Sequence, residues 1–170
     1  MGNFEELSLK NFTCNPFTKI GKEWMLVTAG NADKINTMTA SWGSLGVMWG
    51  KNVAFTFIRP QRYTKKFIDQ ESTYSLCFFN EEYKKTLSYL GTVSGKDEDK
   101  ISTSGLTPCF LDATPCFEEA RLVLVCKKLY AQELTPNCFI DSSLDEKWYE
   151  KKDYHMMYVS EIKKIYAKNN

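Results

Sequence analysis

The sequence predicts a mainly β fold: an antiparallel barrel, closed or partly closed, with short peripheral helices. Three observations carry this expectation. Runs with strand-like alternation or β-branched content outnumber helical segments. Aromatic residues are abundant (four Trp, nine Tyr, eleven Phe), which suits a β-rich core or an interface. A doubly wound α/β sheet lacks its usual signs, since neither a G-x-G-x-x-G nor a Walker-type loop is present.

About six strands are expected. Residues 23–28 form the first, closed by the turn-like Gly30-Asn-Ala-Asp33. Residues 36–42 are extended and rich in threonine. Residues 52–58 alternate cleanly, with Val53, Phe55 and Phe57 on one face and Ala54, Thr56 and Ile58 on the other. Residues 73–79 follow the same pattern, 120–129 are the longest β-branched and leucine run, and 156–166 form the last strand. Helical signals are shorter. Thr64 has N-cap chemistry ahead of 65–69. A second helix spans 81–90, with Glu81 and Glu82 in its first turn and Gly91 just past its end. Residues 97–101 suggest a further helical turn.

At 170 residues, with no repeat and no low-complexity linker, one domain over 1–170 is expected. Lys plus Arg total 22 against 21 for Asp plus Glu, a net charge of +1, so neither nucleic acid nor a membrane surface is an expected partner. No apolar leader or membrane-length segment is visible, and a cytoplasmic protein is expected. Six cysteines without C-x-x-C spacing, and a single histidine, read as reduced thiols rather than a metal site. Cys77 and Cys126 lie in apolar runs and are expected to be buried.

Two segments point to a ligand. Arg59-Pro-Gln-Arg-Tyr-Thr64 leaves a strand and enters a helix, and it offers two guanidinium groups and a hydroxyl to an anion. A capped surface helix with two solvated arginines fits the same residues. Asn36-Thr-Met-Thr-Ala-Ser-Trp42 offers a thin backbone edge and an indole wall to a flat ring, although threonine-rich segments also simply make good strands. Together they suit a phosphorylated, planar aromatic ligand. Ser94-Gly-Lys96 brings a cation to a small-residue loop, or is a plain charged loop. His155 has no partner for a nucleophilic triad, and no catalytic residue is assigned.

With N-T-M-T-A-S-W at 36–42, G-V-M-W-G at 46–50, the arginine–threonine segment at 59–64, S-G-K-D-E-D-K at 94–100 and the closing stretch 154–162, the chain resembles the flavin reductase-like family, flavoredoxins included. The resemblance implies a split β-barrel with Greek-key winding that binds FMN, and a homodimer with the flavin near the subunit interface. It implies an oxidoreductase moving electrons between FMN and either NAD(P)H or a redox-protein partner. A non-catalytic split-barrel binding or dimerisation module is the alternative. By the same resemblance Asn36, Met38, Thr39, Ala40, Ser41 and Trp42 line the flavin. Arg59, Arg62, Tyr63 and Thr64 hold the phosphate end. Ser94, Gly95 and Lys96 approach the ring, and Tyr154 and His155 lie close by.

Overall fold

A computed structural model describes residues 4–168. Among them are ten strands: β1 (Phe4–Leu7), β2 (Met25–Gly30), β3 (Ile35–Ala40), β4 (Gly43–Met48), β5 (Lys51–Ile58), β6 (Thr73–Phe78), β7 (Pro108–Leu111), β8 (Thr114–Phe117), β9 (Leu122–Glu133) and β10 (Met156–Lys168). The helices are short: α1 (Pro16–Thr18), which runs into a π turn (Lys19–Glu23), then α2 (Thr64–Gln70), α3 (Lys84–Thr92), α4 (Lys100–Ser104) and α5 (Ser142–Trp148). One antiparallel sheet has the order β3-β2-β6-β9-β10-β5-β4, with β1 paired to β10, while β7 and β8 form a separate hairpin.

The six anticipated strands are present as β2, β3, β5, β6, β9 and β10. Four more were not legible. β4 carries Gly43 and Gly46; β1, β7 and β8 have four residues each, and Pro108 and Pro115 read as strand breakers. β2 starts two residues later than expected. Glu23 closes the π turn, its carboxylate held by Lys19 (2.8 Å) and Arg121 (2.6 Å), and Trp24 takes a left-handed backbone (φ 69°) before the strand begins.

The helix expected over 81–90 is a 3₁₀ turn (Glu81–Tyr83) followed by α3, which runs through Gly91 instead of stopping before it. A side chain at Gly91 would bring a Cβ within 3.1 Å of Thr39 Cβ, so its role is close packing of α3 on β3. The turn expected at 97–101 becomes α4, capped by Asp99, whose carboxylate accepts the Ser102 N–H at 3.2 Å. Thr64 is not a cap. Tyr63 holds that position with helical backbone angles and no capping side chain, and Thr64 is the buried first residue of α2.

Strand alternation divides the core between the two faces of the sheet. Met25, Val27, Ala54, Ile58, Tyr74 and Leu124 share one cluster; Leu26, Cys77, Leu90, Phe117 and Val123 share the other. On β5 the small face enters the first cluster, and the Tyr74 hydroxyl meets Thr56 (2.9 Å) and Ser160 (3.0 Å) there. Phe55 and Phe57, the bulkier face, are only half-buried, which frees Phe57 to line a surface cleft.

β3 and β4 are the two end strands of the sheet, yet only Ser41 and Trp42 separate them in the chain. The chain therefore crosses the sheet's open seam in two residues, and a surface cleft opens at that crossing. Among the described residues, no helix is long and apolar enough to span a membrane.

Candidate functional site

A cleft of about 350 Å³ opens at the seam. Met38, Thr39, Ala40, Ser41 and Trp42 give it one wall; Phe57, Arg59, Gln61 and Arg62 give the second; Trp148 and His155 close the third. Its size lies within the usual range of small-molecule sites.

Residues 134–155 make the third wall. They leave the sheet after β9 and return at β10, where Met156 pairs with Glu133, and the Leu134 N–H bonds the His155 carbonyl at 2.9 Å. Arg59 pins this excursion down. One guanidinium nitrogen pairs with Asp153 (2.5 Å), another donates to the Trp148 carbonyl (2.9 Å), and the guanidinium lies 5.2 Å from the centre of the Tyr149 ring. Gln61 donates to the second Asp153 oxygen at 2.6 Å. The Trp148 indole then meets Trp42 edge-on, with ring centres 5.1 Å apart.

Arg62 differs from its neighbour. Its guanidinium donates to the Gly91 carbonyl at 2.8 Å, and among the described residues it has no carboxylate partner. Burial first, and then the charge of Arg59, push its pKa below the ordinary value, although an arginine stays protonated at neutral pH. Lys100 is also buried. Its ammonium donates to the Leu90 and Val93 carbonyls, both at 2.9 Å, so two cations cap the C-terminal end of α3. Burial, followed by the Arg62 charge, lowers the Lys100 pKa to about 8. Arg62 thus gives the cleft a cation with no carboxylate partner among the described residues.

His155 is neutral. Burial and the Arg59 charge lower its pKa from 6.5 to about 4, and Nδ1 is bonded to the Tyr149 hydroxyl at 2.7 Å. The unfolded chain takes up a proton near pH 6.5 that the folded chain refuses until about pH 4, so acidification across that window withdraws stability. The fall in Tm between pH 7 and pH 5 is expected to be smaller in His155→Gln than in the parent, as read by scanning calorimetry; equal falls would remove His155 from this account.

The sequence-derived site divides. Met38, Thr39, Ala40, Ser41, Trp42, Arg59, Arg62 and His155 come together in the cleft. Asn36 and Thr64 do not line it: the Asn36 side-chain amide donates to the Thr64 hydroxyl at 2.8 Å inside the protein, tying β3 to α2. Gly95 and Lys96 line a second cleft with Asn36 and Lys34. A Cβ at Gly95 would lie 2.3 Å from the Asn36 side-chain oxygen, so the loop's closeness depends on glycine. Ser94 turns inward on its own loop, accepting the Lys96 N–H at 3.2 Å. Tyr63 lies between two lysines, with Lys34 and Lys96 at 5.8 and 5.7 Å from its ring centre. Tyr154 stacks on Tyr149 and donates to Asp145 at 2.8 Å, outside the cleft lining. Phe57, Gln61 and Trp148 were missed; only the alternation of β5 hinted at Phe57.

The sequence model described as "Flavin reductase like domain" matches residues 17–169. No curated protein matches the sequence significantly. Among solved structures, flavoredoxin from Methanosarcina acetivorans is 21% identical with a TM-score of 0.69, covering 86% of this chain and 69% of its own. Flavoredoxin of Desulfovibrio vulgaris (Miyazaki F) is 19% identical with a TM-score of 0.68, covering 97% and 78%. The NADH:FAD oxidoreductase of Streptomyces globisporus C-1027 is 13% identical with a TM-score of 0.64, covering 86% and 75%. A "putative flavin reductase with split barrel domain" from Shewanella frigidimarina NCIMB 400, 19% identical with a TM-score of 0.69 over 96% and 76%, shares this fold.

Proposed function

The chain belongs to the family of the flavin reductase like domain, and from that premise we propose that it is an FMN-binding redox protein whose seam cleft holds the flavin. The observation that carries this reading is Arg62, a half-buried cation without a carboxylate partner among the described residues, opening on a cleft with indole and phenyl walls. That donor set suits a ligand with a doubly charged phosphate at one end and a flat ring at the other. Bound there, FMN supplies the hydride and single-electron chemistry.

The chain's own residues bind, orient and exclude water. Arg62 holds the phosphate. Trp42, Phe57 and Trp148 would hold the ring, and the outer backbone edge of β3, an end strand of the sheet, would offer it polar groups. The Thr39 hydroxyl is committed to the Leu87 carbonyl, so it fixes α3 against β3 and leaves polar contact to Ser41. His155 contributes a neutral ring nitrogen, Nε2, because Nδ1 is engaged by Tyr149. Asn36 and Thr64 act one layer out, by tying the start of α2, two residues past Arg62, to β3.

Electrons come either from NAD(P)H, the route of a flavin reductase, or from a redox-protein partner, the route of a carrier. We also propose a homodimer. Supporting it are Val47 and Trp49 on the β4–β5 hairpin with Leu129 and Tyr130 on β9, all exposed, with Trp49 and Tyr130 rings 6.1 Å apart.

The test is a fluorescence titration with FMN, followed by anaerobic addition of NADH and then NADPH. Saturable FMN quenching is expected. Bleaching of the bound flavin by either nicotinamide identifies a reductase, whereas bleaching only by a reduced redox protein identifies a carrier. Failure to bind FMN would end the redox assignment and leave a non-catalytic binding module.

A further inference from the structure

Outside the flavin cleft, the β7–β8 hairpin brings two thiols together. Cys109 and Cys116 are directly opposed in its register, and their sulfurs are 3.3 Å apart. Opposed residues in antiparallel strands keep their Cα atoms about 4.5–5.5 Å apart, inside the range a disulfide spans without backbone movement. Both residues are free thiols.

The hairpin is built to hold that geometry. Its two-residue turn, Asp112-Ala113, has positive φ at both positions (47° and 58°), the twist that matches paired strands. The Asp112 carboxylate accepts from the Tyr166 hydroxyl at 2.6 Å, and the Ser75 hydroxyl donates to the Pro115 carbonyl at 2.6 Å, fixing the turn to β10 and β8 to β6.

The two thiols are unequal. Cys116 is fully buried in the second core cluster, whereas Cys109 is partly exposed. The Cys116 S–H stabilises a thiolate on Cys109 and lowers its pKa, while that thiolate raises the pKa of Cys116. The other buried neighbour, Cys77, is pushed up to about 12 by burial and is no competitor.

We propose that Cys109 and Cys116 form a redox-active dithiol pair that reacts with small-molecule disulfides, Cys109 attacking and Cys116 resolving. The Cys109 thiolate attacks one sulfur of R–S–S–R, forming a mixed disulfide and expelling one thiolate, which takes up a proton. Cys116 then loses its proton and attacks the Cys109 sulfur, expelling the second R–S⁻. In sum the protein dithiol gives up two electrons and two protons, and R–S–S–R becomes two R–SH.

The experiment exposes the whole reduced protein to excess oxidised glutathione, alkylates remaining thiols, and maps tryptic peptides by mass. Residues 101–121 form one tryptic peptide carrying both cysteines. In the parent it should lose two hydrogens and carry neither alkyl group nor glutathione, and dithiothreitol should reverse this. Exposed Cys138, with no opposed thiol, should retain glutathione and so report that the oxidant was effective. Cys116→Ser should leave glutathione trapped on Cys109, and Cys109→Ser should leave Cys116 alkylated and free of glutathione. The proposal is overturned if Cys109 and Cys116 are both alkylated after Cys138 has reacted, or if parent Cys109 keeps glutathione as long as Cys116→Ser does. The parent peptide decides the matter by itself if either variant is misfolded by circular dichroism.

Discussion

Replacing Arg62 with alanine should weaken FMN binding by on the order of 100-fold while changing riboflavin affinity by less than about threefold. Hydrogen bonds to charged groups contribute roughly 1.5–3 kcal/mol, and about 1.4 kcal/mol is a factor of ten in affinity. Arg62 should sit at the upper end, because it is half-buried and no carboxylate partner among the described residues offsets its charge. Riboflavin lacks the phosphate, so it reports the ring-binding walls alone. Fluorescence titration of both ligands against both proteins supplies the comparison. Equal losses for FMN and riboflavin would mean that Arg62 supports the cleft's shape rather than gripping phosphate. The variant also leaves the Gly91 carbonyl without its guanidinium donor, so its Tm needs recording beside the affinities. Arg59→Ala is a poorer probe, since it strands Asp153 and loosens the whole 134–155 wall.

Gly30→Ala should destabilise the fold by about 3 kcal/mol, which for a chain of this size lowers Tm by roughly 6–12 °C. Gly30 ends β2 at φ 129°, in territory that side chains avoid, and a Cβ there would lie 2.2 Å from the Lys34 carbonyl oxygen. Backbone cannot yield as a flexible side chain would. The hairpin must open or shift, and β3 carries Met38–Ala40 of the cleft wall with it. FMN affinity is therefore expected to fall with stability, although Gly30 does not line the cleft. A Tm within 2 °C of the parent would show that the turn has slack its geometry denies (roughly, under 1 kcal/mol).

Six strands were legible because period-two alternation needs only local sequence, and residues 52–58 or 73–79 display it plainly. The alternation did not say which face points inward. On β5 the small face enters the core because Tyr74 fills the space opposite Thr56, a contact across the barrel interior between strands that are not paired in the sheet. α5 was invisible for a related reason: Ser142–Trp148 is a polar segment, and its link to the site is the carbonyl and indole of Trp148, docked through Arg59.

The cleft's lining was legible in part as a set of residue types, not as an arrangement. Arg59 and Arg62 look equivalent in sequence, and only Asp153, far along the chain, neutralises one and leaves the other. Thr64 read as a helix cap, yet Asn36 draws its hydroxyl into the interior. Local chemistry nominates such groups, and tertiary partners decide which stay free.

A crystal structure of the protein with FMN tests the central claim most directly. The account predicts phosphate oxygens within hydrogen-bond distance of the Arg62 guanidinium and the ring system against Trp42 at the β3–β4 crossing. FMN with its phosphate between Lys34 and Lys96 in the second cleft, and Arg62 uninvolved, would contradict it.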